Sequence, residues 1–185
     1  HLDANDRAKG ILLNIDVDGR PVRTSTYKAG ALYSELRASV QAIVSKQSAP
    51  RNQADGGTTH APRVILPPDP EASRVMVEVS PGRRLHWDEA LTESAGCAGF
   101  ETMWLDALAG AFAAEAWRRL EEVGAGSRSR IVVEGGFRHN RSFMAALERH
   151  AGDRAVIAAP DDLGSARGAA ILARAQDVVG RTNGQ

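Results

Sequence analysis

The sequence predicts an α/β fold, and three observations lead there. The C-terminal third alternates short β-branched runs with helix-like stretches, in the order "RIVVEGG", "NRSFMAALERHAG", "RAVIAAP", "DDLGSARGAAILARAQDVVG". Short links between strand, helix and strand favour a parallel pair. The N-terminal "ILLNIDVDGRPVRTSTYKAG" has hairpin character, and two stretches of helical periodicity lie between these ends, over 30–46 and within 88–126.

Each element has its own justification. Ile11, Leu13, Ile15 and Val17 recur at every second position, Asp18-Gly19 is a turn dipeptide, and "PVRTSTY" resumes with β-branched residues. That is the pattern of a β-hairpin. Pro21 stands just past the turn, where a missing N–H is tolerated. Over 30–46, Leu32, Leu36, Val40, Ile43 and Val44 fall at helical spacing. Residues 47–63 are polar and rich in Gly, Pro and Ala, and read as a loop excursion. Residues 64–87 suggest short strands such as "RVMVEV", and Pro67, Pro68 and Pro70 exclude a central strand where they stand. Within 88–126, Leu105, Leu108, Phe112, Ala116 and Leu120 keep one face, alanines widen it, and "VGAG" is a natural stop. In the last third, Phe143, Met144 and Leu147 are expected to point inward, and Asp161 and Asp162 lie at the positively polarised start of the final helix. The 185 residues are enough for one domain with a real core, and a single domain over 1–185 is expected.

Composition excludes several classes of function. A hydrophobic share of 43% with formal net charge +0 gives no global attraction to nucleic acid or to an anionic membrane surface. No signal peptide or long apolar run suggests export or membrane insertion. The single cysteine, Cys97, cannot form an internal disulfide, and no spacing suggests a metal site. It reads as a small buried hydrophobe, and a reducing, cytoplasmic compartment fits.

The candidate site is the stretch "VVEGGFRHN". Gly135 and Gly136 follow a buried strand, at the carboxyl end where open α/β sheets bind ligands. A residue without Cβ lets a flat ligand or a phosphate lie against the backbone, and the next helix presents unpaired N–H groups. Two readings stand, a tight turn and a nucleotide cradle; neither GxGxxG nor GxxxxGK[ST] is present. Asn140 serves either as a helix N-cap or as a carboxamide for a purine edge. His139 reads as a solvated neighbour with no local carboxylate partner. "GSARGAAILA" concentrates Gly164 and Gly168 in a helix start, although glycine there costs about 1 kcal/mol against alanine. Close packing on the sheet and proximity to the same pocket both account for it.

With these segments in view, the chain resembles the C-terminal domain of FGGY-family carbohydrate kinases. The resemblance is carried by "IVVEGGFRHN", "RAVIAA" and "DDLGSARGAAILA" in order across the last third, and by "LLNIDVDGRPVRTSTYKAG" near the start. It implies a ribonuclease-H-like, actin-like ATPase domain with a mixed sheet and flanking helices. It implies ATP with Mg²⁺ as cofactors and a sugar as substrate. By the family motif, Gly135, Gly136, Phe137 and Asn140 fall on the adenosine side, with Gly164 and Gly168 supporting the pocket wall.

The resemblance also implies that the N-terminal kinase domain, with its phosphate loop and catalytic aspartate, is absent from these 185 residues. Asp16 and Asp18 belong to the hairpin and do not replace that base, and "GGTT" at 56–59 reads as solvated loop. The chain alone is then expected to be inactive. A face normally covered by the missing domain implies weak self-association or a partner chain. A non-catalytic actin-like module that binds nucleotide or another subunit is the alternative reading.

Overall fold

The computed structural model describes residues 4, 11–15, 21–25, 27, 29–46, 61–68, 74–124 and 130–160. Among these the chain is a mixed α/β structure built around one long helix. Strands β1 (Leu12–Ile15) and β2 (Pro21–Thr24) pair antiparallel, Leu12 opposite Thr24, as the hairpin pattern predicts; the Asp18-Gly19 turn lies outside the described residues. Helix α1 (Ala29–Lys46) buries Leu36 and Val40, with Leu32, Ile43 and Val44 packed against the core.

The region read as irregular with short strands is more regular than its prolines suggest. Strands β3 (Arg63–Ile65), β4 (Met76–Ser80) and β5 (Arg83–His86) form an antiparallel meander in the order β3-β4-β5. The prolines are accommodated because Pro67 and Pro68 fall after β3 ends. Position 63, placed in the loop by its polar neighbours, opens β3, with Arg63 exposed and Val64 buried.

The stretch 88–126 is two helices: α2 (Trp87–Ser94) and α3 (Phe100–Glu122). Gly99 separates them at φ +71, a conformation for which glycine carries little steric cost. Cys97 lies in this link, a free and half-buried thiol rather than a core side chain, because the connection runs at the surface. The buried stripe of α3 begins earlier than the leucine pattern suggests. Phe100, Trp104, Leu108 and Phe112 repeat every fourth residue and are buried with Ala109 and Ala113, whereas Leu105, Ala116 and Leu120 lie at its margin. The larger rings displace the face toward themselves.

Trp104 meets Trp87 edge to face at 5.1 Å, and Trp87 Nε1 donates to Ser39 Oγ at 2.7 Å, which ties α1, α2 and α3 together. Strand β6 (Ile131–Val133) and strand β7 (Val156–Ala158) run parallel, Val132 opposite Ile157, with helix α4 (Arg141–Ala151) between them in sequence. Phe143 and Leu147 of α4 are buried and Met144 packs against the core. The four helices and strands β3, β4 and β6 all contribute to one hydrophobic cluster. Among the described residues the strands form three small sheets rather than one mixed sheet.

Candidate functional site

The two glycines after β6 have different jobs. The strand ends at Val133, Glu134 is extended, and residues Gly135–His139 form a single 3₁₀ turn leading to α4. Gly135 adopts φ +70, which a side chain at that position would strain. Gly136 does not share that conformation, and a Cβ built there meets no atom of the described residues within 4 Å. Among the described residues, neither backbone conformation nor internal packing asks for glycine at 136, and nothing covers it there.

Arg138 fastens the turn to the end of the neighbouring strand. Its Nη1 donates to the Ala159 carbonyl at 3.0 Å, and Ala159 N–H donates to the Val133 carbonyl at 2.8 Å. Arg138 Nε also donates to His139 Nε2 at 2.9 Å, which leaves that exposed imidazole, among the described residues, with a guanidinium and no carboxylate. Phe137 turns its ring toward the interior, 4.6 Å from Phe143, 5.0 Å from Tyr33 and 5.9 Å from Phe112 between centroids.

Asn140 is the N-cap of α4. Its Oδ1 accepts the Phe143 N–H at 3.1 Å, satisfying one of the orphan donors of the first turn. The other half of the amide reaches across the molecule: Nδ2 donates to the Tyr33 hydroxyl at 2.6 Å. The carboxamide is thus fixed at both ends by the protein. Ser142, one turn further, donates to Asp106 Oδ1 at 2.6 Å and pins α4 to α3.

These groups surround an open cleft of about 510 Å³ between α1, α3 and the turn. Gly136, Phe137 and Asn140 line it together with Tyr33, Arg37 and Arg141. The volume lies in the range of small-molecule sites. Among the described residues, the lining has aromatic surface, bare backbone and two guanidiniums, and no carboxylate. Among the described residues Arg37 and Arg141 make no ion pair, so the cleft suits an acceptor-rich or anionic ligand with a flat apolar part.

Of the residues singled out from sequence, Gly135, Gly136, Phe137, His139 and Asn140 come together here, with Gly135 forming the turn behind the lining. Gly164 and Gly168 lie outside the described residues. Sequence reasoning missed Tyr33, Arg37 and Arg141. Tyr33 has no local signal beyond an aromatic between two core leucines, since its partner is 107 positions away. No three metal-ligating side chains meet among the described residues. No helix there is long and apolar enough to cross a membrane.

The C-terminal-domain model of the FGGY carbohydrate kinases matches residues 1–181. No curated protein and no solved structure matches the chain. The family match spans nearly every residue, from the hairpin through the glycine turn and beyond, and by it the chain belongs to the FGGY carbohydrate kinase family as a C-terminal domain.

Proposed function

We propose that this chain is the nucleotide-binding jaw of an ATP-dependent carbohydrate kinase, folded as one ribonuclease-H-like, actin-like domain. The observation that carries this reading is Gly136, bare where neither its conformation nor its packing demands it, beside a cleft with aromatic walls and cationic edges. Adenosine lies against Gly136, with Phe137 and Asn140 on its flank. Gly135 sets the path of the turn. Gly164 and Gly168 support the wall.

In the reaction of the whole enzyme, a sugar hydroxyl gives its proton to a carboxylate outside this chain. Its oxygen then bonds the γ-phosphorus of ATP as the bond to the bridging oxygen breaks, leaving ADP. Such transfer depends chiefly on positioning and charge neutralisation, which closing two jaws supplies. The contribution of this chain is to bind and orient the nucleotide; no catalytic group is assigned to it. Mg²⁺, when bound with ATP, neutralises phosphate charge.

A thermal-shift and calorimetric titration with ADP tests the reading. ADP should raise the melting temperature and bind saturably, while the chain alone should phosphorylate no sugar. Absence of any shift or heat with ADP would overturn it. Sugar phosphorylation by these 185 residues alone would overturn the division of labour between the jaws.

A further inference from the structure

We propose that the Tyr33 hydroxyl is a ligand-contacting group of the cleft, a hydrogen-bond donor presented to an acceptor on the nucleoside, a purine ring nitrogen or a ribose oxygen. The proposal rests on the nucleotide reading and adds to it a residue on a different element from the glycine turn. The polarity follows from the N-cap. Asn140 Oδ1 is committed to the Phe143 N–H, so the amide nitrogen must face Tyr33. An amide nitrogen only donates, so the phenolic oxygen is the acceptor in the 2.6 Å contact. The phenolic proton is therefore free to point elsewhere, and among the described residues it meets no acceptor.

The ring cannot swing away to satisfy itself. It is held edge to face by Phe112 at 5.3 Å and Phe137 at 5.0 Å. Tyr33 is half-buried and lines the cleft beside Gly136 and Asn140. With Arg37 and Arg141 also present only as donors, this wall offers hydrogens, and the complementary ligand must bring acceptors. Adenosine has them on its base and on its sugar.

The test compares adenosine and ADP binding by calorimetry in the unmodified chain, in Tyr33→Phe and in Asn140→Asp. Tyr33→Phe keeps the ring contacts but removes the hydroxyl, and with it both the bond proposed to the ligand and the acceptor of Asn140 Nδ2. It should weaken both ligands about threefold to tenfold, by the same factor. The melting temperature without ligand should fall slightly, because Asn140 Nδ2 loses its acceptor, whereas the bond to the ligand acts on affinity alone. Asn140→Asp keeps the cap oxygen but puts an acceptor where the amide donated, drawing the phenolic proton onto itself. It should weaken adenosine, a neutral ligand that the added charge does not repel. Unchanged affinities in Tyr33→Phe would overturn the proposal and leave the nucleotide reading standing. A loss with ADP but not with adenosine would also overturn it, since the contact would then be to phosphate. Failure of the unmodified chain to bind ADP would overturn both.

Discussion

Gly135 and Gly136 are adjacent, identical in chemistry and distinct in physics. Alanine at 135 must occupy φ +70, where an L-residue is strained by about 1–2 kcal/mol. Among the described residues nothing lies within 4 Å of a Cβ there, so the cost they impose is conformational. Gly135→Ala should lower the urea midpoint accordingly. Gly136→Ala should leave the midpoint unchanged within about 0.5 kcal/mol, the usual range for a surface substitution. Its effect should fall on ADP affinity instead. Equal destabilisation by both variants would mean that the two glycines share one structural task. Asn140 illustrates the limit of weighing two roles against each other from sequence. The cap and the cleft are both served by one amide, because its oxygen and nitrogen face opposite ways.

Helix α3 contributes to the cleft through Leu105, and its polar side carries Glu115, whose carboxyl is shifted from its ordinary value. Burial pushes the Glu115 carboxyl up, but hydrogen bonds and charge from Arg118 and Arg119 outweigh it and hold Glu115 below its ordinary value of 4.5. Arg119 Nε contacts Glu115 at 2.6 Å, reaches Pro68 and Ser25 with its other nitrogens, and lies over the Tyr27 ring at 4.6 Å. A depressed folded pKa means stability that is present above the unfolded value. It is lost as pH falls through the folded one. Chemical denaturation at pH 7 and below pH 4.5 should therefore show acid destabilisation that is smaller in Glu115→Gln than in the unmodified chain. An identical pH dependence in both proteins would remove Glu115 from the account. The exposure of Arg118 keeps the effect modest.

Across the molecule, β6 and β7 bury Ile131 and Val133 yet leave Val132 58% and Ile157 40% exposed, and these two are register partners. Leu12 and Leu13 of β1 are also exposed. We propose that this apolar surface, beside the strand that leads into the glycine turn, is where the expected weak self-association or covering partner would act. Sedimentation velocity over a range of concentrations should show weak association, reduced in the double variant Val132→Thr, Ile157→Thr. A concentration-independent monomer would remove the expectation.

The two terminal strand patterns, the periodicity of α1 and the strand–glycine–helix order were legible because they depend on neighbours in the chain. Turn residues, caps and apolar spacing act over a few positions, and a linear reading captures them. The β-meander was read only in part, since two of its strands are three and four residues long, one following a proline and the other opening on two arginines. The stretch 88–126 was legible as containing the longest helix, but not the break at Gly99, which rests on a glycine's backbone conformation rather than on apolar spacing. Family membership was carried by the same local motifs and by their order along the chain. The walls of the cleft were not legible. Tyr33 and Asn140 meet across 107 positions, and Phe112 and Phe137 meet from different elements. Folding sets such contacts by how helices pack on one another, and helical periodicity names the face that is buried without naming what it will touch.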